Sequence, residues 1–118
     1  MSAGSAVGAG DGPSGRPRVL FEARDERRIA LRGELSFATA TAALQESRRL
    51  FNGRPAIELD LAGVGRADSA GLALLLEWIH WARNHDCRLS LHNIPQQIIA
   101  IAQISEAEGM LRRGHGGD

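Results

Sequence analysis

The chain has 118 residues, and its 14 basic and 14 acidic residues leave it with no formal net charge. This length fits one domain, and the balanced charge argues against a nucleic-acid-binding protein, because such proteins normally carry an excess of basic residues. Cys87 is the only cysteine, so no intrachain disulfide can form, and we expect a half-buried structural thiol.

Residues 1–17 are rich in Gly, Ser, Ala and Pro and poor in large apolar residues, which predicts a disordered extension. The segment also lacks the basic and apolar regions of a secretory signal. The longest apolar run, Ala70 to Leu76, is far shorter than the roughly 18 residues of a membrane-spanning helix. We therefore expect a soluble cytoplasmic protein without direct membrane insertion.

Hydrophobic periodicity predicts alternating strands and helices along the rest of the chain. The segment Ile57-Glu58-Leu59-Asp60-Leu61, for example, alternates between apolar and acidic residues, as a strand with one buried face does. Strands are predicted at residues 19–24, 28–31, 57–61 and 88–92, and helices at 37–51, 69–85 and 95–103, with a short helical turn at 106–110. The order β-β-α-β-α-β-α predicts an α/β fold in which three or four helices cover a mixed sheet of about four strands.

Turn and cap residues set the expected boundaries of these elements. Gly33-Glu34 is expected to end the second strand, and Ser36 is expected to cap the first helix. Asn52-Gly53 is expected to end that helix, because Asn and Gly both tolerate the left-handed conformation found at such ends. Residues 62–67 carry two glycines and are expected to form a loop.

The segment Asp68-Ser69-Ala70-Gly71-Leu72 lies where this loop enters the longest predicted helix. Asp68 or Ser69 can cap the helix, and the partial positive charge of a helix start favours anions. Gly71 is expected to leave the backbone open to approach, while Leu72 enters the core. The combination predicts an exposed Ser69 hydroxyl at an electropositive helix start, although an ordinary helix cap has the same pattern.

Three motifs resemble the STAS family, in which anti-sigma-factor antagonists, anion-transporter tails and a phospholipid-transport subunit share one domain. The motifs are Gly33-Glu34-Leu35, Ile57 to Leu61 and Asp68 to Leu72. The resemblance covers about Val19 to Leu111, so we expect a STAS domain at residues 18–112. Residues 113–118 are polar and Gly-rich, which predicts a flexible tail. It implies a non-enzymatic regulatory module that docks onto a partner protein through the turn at Ser69.

Within that family, the run from Val64 to Leu76 resembles MlaB, the STAS subunit of the Mla ABC transporter, which moves phospholipid between the membranes of Gram-negative bacteria. MlaB commonly has Thr where Ser69 stands, and the hydroxyl is retained. The resemblance implies that the chain binds the cytoplasmic, MlaF-like ATPase subunit and supports complex assembly or activity at the inner membrane. The permease and the lipid-binding subunit are then indirect partners.

Two apolar stripes run along the longest predicted helix. Leu74, Trp78 and Trp81 form the second stripe, which either stays partly exposed to anchor a partner, as tryptophans often do, or packs against a neighbouring helix. Together with Ser69, the expected partner-binding residues are Asp68, Ala70, Gly71, Leu74, Trp78 and Trp81.

The sequence contains no convincing catalytic or metal-binding pattern. The four histidines lack a nucleophile or zinc-site context, and Gly63-x-Gly65 lacks both the third glycine of a dinucleotide-binding loop and the lysine of a phosphate-binding loop. Glu58 and Asp60 share a strand face, which is expected to be solvated and not an acid–base pair. We therefore predict no enzymatic activity, no metal and no cofactor.

Two other STAS functions stay open. In an anti-sigma-factor antagonist, a partner kinase phosphorylates the serine at the position of Ser69, and the added charge of about −1.5 to −2 repels a partner that fits the bare hydroxyl. A domain that binds a small ligand or a nucleotide is the other alternative.

Overall fold

The structure of the protein, a computed structural model, describes residues 16–105 and 107–113. The predicted extension at 1–17 and the predicted tail at 113–118 therefore lie almost entirely outside the described residues. The described elements are β1 (Val19–Ala23), β2 (Arg28–Leu35), α1 (Ala40–Phe51), β3 (Ala56–Ala67), α2 (Ser69–Asn84), β4 (Arg88–His92), α3 (Gln96–Ile104) and α4 (Glu108–Arg113).

The strands form one mixed sheet in the order β1-β2-β3-β4. β1 pairs antiparallel with β2, whereas β2, β3 and β4 run parallel to one another. The predicted α/β fold and its order of strands and helices are confirmed. Because the carboxyl ends of parallel strands meet at one edge of a sheet, and each of these three strands is followed by a helix, α1, α2 and α3 all begin at that edge.

The core lies between one face of the sheet and the helices. Ile57, Leu59 and Leu61 alternate along β3 and are at most 1% exposed, and each such buried side chain contributes about 1.5–3 kcal/mol. Glu58 and Asp60 lie on the opposite face and are half-buried. The strict alternation seen in the sequence thus separates the core face of the central strand from its polar face.

β2 continues to Leu35, so the prediction that Gly33-Glu34 ends the strand is wrong. Gly33 has a φ of +101°, and a Cβ built on it would collide with the carbonyl oxygen of Arg18. Glu34 N–H donates to that same oxygen at 2.7 Å. The glycine therefore bends the strand beside β1 without ending its pairing with β3.

β3 also runs further than predicted, because residues 62–67 extend the strand and do not form a loop. Arg32 is paired with Gly63, and Leu35 with Ala67, across two shifts of register. Each shift places an extra residue in β3, as a β-bulge does. The extension carries the chain to the edge of the sheet where α2 begins.

Ser36 does not cap α1, contrary to prediction. The helix begins at Ala40, and its N-cap is Thr39. Ser36 is buried, and its hydroxyl donates to the Glu34 carboxylate at 2.6 Å while accepting from the Ala38 N–H at 3.2 Å. Because these bonds hold residues 36–39 in a compact loop, the helix starts three residues later than the composition suggested. By contrast, α2 and α3 follow the predicted bounds to within one residue at each end.

Candidate functional site

Asp68 caps α2. Its backbone is extended, and its carboxylate Oδ1 accepts the Ala70 N–H at 2.8 Å. Its carbonyl oxygen accepts the N–H groups of Gly71 at 2.9 Å and Leu72 at 3.3 Å. A side-chain cap of this kind is worth about 1 kcal/mol. Of the two residues that could cap the helix, Asp68 therefore does so, and Ser69 becomes the first helical residue.

The same aspartate also holds the loop between β2 and α1. Its second carboxylate oxygen, Oδ2, accepts the Phe37 N–H at 3.1 Å, and its own N–H donates to the Leu35 carbonyl at 3.3 Å. Asp68 thus joins the end of β2, the Phe37 loop and the start of α2. This arrangement fixes the backbone on which Ser69 is presented.

Ser69 is exposed, Ala70 is half-buried and Leu72 lies in the core at 6% exposure. The hydroxyl of Ser69 therefore faces solvent at a helix start whose first turn contains no acidic residue. The unpaired N–H groups of a helix start carry partial positive charge. This position suits a hydrogen bond from a partner, or a phosphate, better than it suits a buried apolar group.

The sequence predicted that Gly71 leaves the backbone open to approach, and this prediction is wrong. The residue is buried, and a Cβ built on it would lie 2.5 Å from the Leu35 carbonyl oxygen and 3.3 Å from Cδ1 of Ile98. Main chain from β2 and a side chain from α3 therefore occupy the space. Gly71 is needed so that α2 can sit directly on the end of β2, and it presents no free surface to a partner.

The second apolar stripe of α2 packs inside the molecule. Leu74 is 6% exposed and Trp78 is 1% exposed. The indole Nε1–H of Trp78 donates to Oγ of Ser47 at 2.9 Å, and its ring meets Phe51 edge-on at 5.6 Å. Of the two alternatives that the sequence left open for this stripe, Leu74 and Trp78 therefore follow the packed one, and α1 covers Trp78.

Trp81 remains partly exposed to solvent. It is half-buried, and its ring stacks on His85 with 4.4 Å between centroids. The Nδ1 of His85 lies 2.8 Å from the Trp81 carbonyl oxygen. Since Trp81 lies in the last turns of α2, it is remote along the helix from Ser69, and the two need not share one surface.

Phe37 is a surface residue that the sequence reasoning missed. Its side chain is 86% exposed, although it was expected to lie inside a helix. The available signal was the pair of cap-type residues, Ser36 and Thr39, on either side of it. Either one can begin a helix, and the choice of Thr39 leaves Phe37 in the loop, beside Asp68.

Glu58 and Asp60, the two carboxylates of β3, interact with different partners. Glu58 lies 3.7 Å from the Arg27 guanidinium, whereas Asp60 accepts the Asn93 amide at 2.9 Å and the Ala62 N–H at 3.0 Å. The hydrogen bond from Asn93, followed by that from Ala62, lowers the pKa of Asp60. A carboxylate stabilised in its charged form is a poor general acid or base near neutral pH.

Cys87 is buried, and its burial raises the pKa of the thiol. In residues 16–105 and 107–113, no three His, Cys, Asp or Glu side chains are grouped so that they could hold a metal ion. Within the same residues, every helix is too short or too polar to cross a membrane.

The family model described as "Mlab, STAS domain" matches residues 20–112, whereas a search of curated proteins finds no match. The matched region runs from β1 to α4 and contains the Asp68 cap, Ser69 and the glycine on which α2 is seated. The mixed sheet and the order of strands and helices also fit a STAS domain. The chain therefore belongs to the STAS domain family, and within it to the MlaB type.

Proposed function

We propose that this chain is the non-enzymatic STAS subunit of an Mla-type ABC transporter. It binds the cytoplasmic ATPase subunit through the turn at Ser69 and supports assembly or activity of the complex in phospholipid transport between membranes. The protein is then cytoplasmic and peripheral to the inner membrane, with the permease and the lipid-binding subunit as indirect partners. The match to the MlaB family model over residues 20–112 supports this role.

The observation that carries the proposal is the presentation of Ser69. The residue is exposed, while both carboxylate oxygens of the preceding Asp68 accept backbone N–H groups. A partner therefore meets a neutral hydroxyl on a fixed backbone. Little conformational entropy is lost when a surface of this kind is bound, which favours specific docking.

Ser69→Glu tests this surface. A glutamate at the first position of a helix is favoured by the helix dipole, so the variant should keep its fold and its thermal midpoint. In the complex, however, the carboxylate is buried without a partner, which typically costs about 2–5 kcal/mol. We expect the affinity for the purified cognate ATPase to fall at least about 30-fold, measured by calorimetry or biolayer interferometry.

Two control variants separate charge from position. Ser69→Thr keeps the hydroxyl and should bind as the wild type does. Gln103→Glu adds the same charge at an exposed position near the end of α3 and should leave binding unchanged. If Ser69→Glu binds the ATPase with wild-type affinity, Ser69 does not lie in the interface.

The exposed hydroxyl also suits the second STAS function, a phosphorylation switch in an anti-sigma-factor antagonist. Phosphate at a helix start is compatible with the fold. Affinity purification from native cytoplasm and detergent-solubilised membranes distinguishes the two functions. Recovery of an ABC ATPase with its permease supports the transporter subunit, whereas recovery of a serine kinase that phosphorylates Ser69 replaces it with the switch.

A further inference from the structure

Phe37 is an exposed aromatic residue on a fixed loop. Its side chain is 86% exposed, yet its own N–H is bonded to Asp68 at 3.1 Å, and the preceding Ser36 N–H is bonded to Oγ1 of Thr39 at 3.0 Å. An aromatic side chain on a fixed backbone has only two side-chain torsions to order when it enters a pocket, and aromatic residues, Phe included, are enriched at interfaces.

The end of the molecule that carries Phe37 is poor in charged residues. Glu34 and Asp68 are half-buried there and accept hydrogen bonds, and Arg66, at the end of β3, is exposed. The starts of α1, α2 and α3 lie at one edge of the sheet, and none of their first turns contains an acidic residue. The runs 35–45, 69–76 and 93–99 contain no Asp, Glu, Arg, Lys or His, in a chain of which 24% is charged. The exposed residues here include Phe37, Ala38, Ser69, Ala73 and Gln97.

Depletion of charge around an exposed aromatic is the compositional sign of an interface core. Asp68 is the ionisable residue at the centre of this end, and both of its carboxylate oxygens accept backbone hydrogen bonds. The surface therefore favours a largely apolar partner surface, because few side chains around Phe37 could form an ion pair that offsets the lost hydration of a charged partner.

We propose that Phe37 is the apolar anchor of this docking surface, and that it inserts into an uncharged pocket of the ABC transporter's ATPase subunit while Ser69 makes the polar contact beside it. This inference rests on the proposed function, since it names the residue and the pocket chemistry for the same partner. Phe37 supplies most of the affinity, and Ser69 supplies discrimination through its hydroxyl.

Phe37→Ala tests the anchor, with Ile104→Ala as a matched control. Ile104 is 84% exposed but lies at the carboxyl end of α3, away from the helix starts around Phe37. Neither side chain supports the core, so both variants should keep the wild-type circular dichroism spectrum and thermal midpoint. We expect Phe37→Ala to weaken binding to the purified ATPase at least about 30-fold, Phe37→Leu to weaken it less, and Ile104→Ala to leave it unchanged.

Salt dependence supplies a second readout. Because few charged residues lie around Phe37, the dissociation constant should change less than about threefold between 0.05 and 0.5 M NaCl, whereas a highly charged interface is strongly screened over this range. A large loss of affinity with salt places the contact elsewhere on the molecule and overturns the inference.

The outcomes for Phe37 and Ser69 are separable. If Ser69→Glu abolishes binding while Phe37→Ala binds as the wild type does, the docking turn stands and the anchor is wrong. If both variants bind with wild-type affinity, the interface lies on another face and the anchor is wrong together with the docking turn. If the wild type itself does not bind the ATPase, the proposed function fails and the inference fails with it.

Discussion

Replacing Gly71 by alanine tests how closely α2 is seated on the end of β2. Propensity alone predicts that a Gly→Ala change inside a helix stabilises the protein by about 0.8–1 kcal/mol. The structure predicts the opposite sign. A Cβ at this position would lie 2.5 Å from the Leu35 carbonyl oxygen and 3.3 Å from Cδ1 of Ile98, and contacts below 3.0 Å force atoms to move.

The atom that must move belongs to the main chain and cannot rotate away. The Leu35 carbonyl also accepts the Asp68 N–H at 3.3 Å, so shifting it, or lifting α2 by about half an ångström, loosens the cap as well. Overpacking of a well-packed core typically costs about 1–3 kcal/mol, which exceeds the propensity gain. We expect a net loss of about 1 kcal/mol, or roughly 4–8 °C in the thermal midpoint of a domain of this size.

Chemical denaturation followed by tryptophan fluorescence and far-ultraviolet circular dichroism measures the effect. Gly109 in α4 is the matched control, because a Cβ built there meets no atom within 4 Å. Gly109→Ala should be neutral or stabilise by up to about 1 kcal/mol. Should Gly71→Ala prove as stable as the wild type, or more stable, the close seating of α2 on Leu35 is refuted.

Two further predictions concern single hydrogen bonds. Ser47→Ala leaves the buried indole N–H of Trp78 without its acceptor at 2.9 Å, so the free energy of unfolding should fall by about 1–3 kcal/mol. As a control, Ser69→Ala at an exposed position should change the free energy of unfolding by less than about 0.5 kcal/mol. If the two variants lost equal stability, the hydrogen bond to Trp78 would not be the cause. Asn93→Gly keeps the positive φ of 59° but removes the largest cause of the lowered pKa of Asp60, so that pKa should rise in a carboxyl NMR titration. A lowered folded-state pKa stabilises the protein above the unfolded value of about 3.9, and this stability is lost as the pH falls through the folded value. The variant should therefore be less stable than the wild type at neutral pH, by a margin that shrinks as the pH falls below 3.9, and an unchanged pKa would show that the amide does not set it.

The order of strands and helices could be predicted from local sequence patterns. The alternation of apolar and polar residues at 57–61 and the helical spacing along α2 depend only on neighbours a few positions away. The fold class and the helices α2 and α3 were therefore predictable from the chain alone. The Asp68 to Leu72 segment was also recognisable, because a cap followed by an apolar run is a local signal.

The errors arose wherever distant parts of the chain meet. Residues 62–67 form a strand because β2 provides their hydrogen-bond partners across two β-bulges. Since each bulge interrupts the alternation of apolar and polar residues, the sequence shows no strand pattern there. Trp78 is buried because α1 places Ser47 and Phe51 against it, which the helical spacing of α2 cannot reveal. Burial is a property of both surfaces in a contact.

The sequence by itself therefore determined the α/β order and a helix cap at Asp68 or Ser69, since each depends on residue type and short-range spacing. Only the tertiary structure decided which of these residues face a partner. It enclosed Leu74 and Trp78, filled the space above Gly71 with the Leu35 carbonyl, and left Phe37 and Ser69 exposed. Parallel strands bring the three helix starts to one edge, and Asp68 joins the start of α2 to the Phe37 loop before α1 through a hydrogen bond that spans 31 residues.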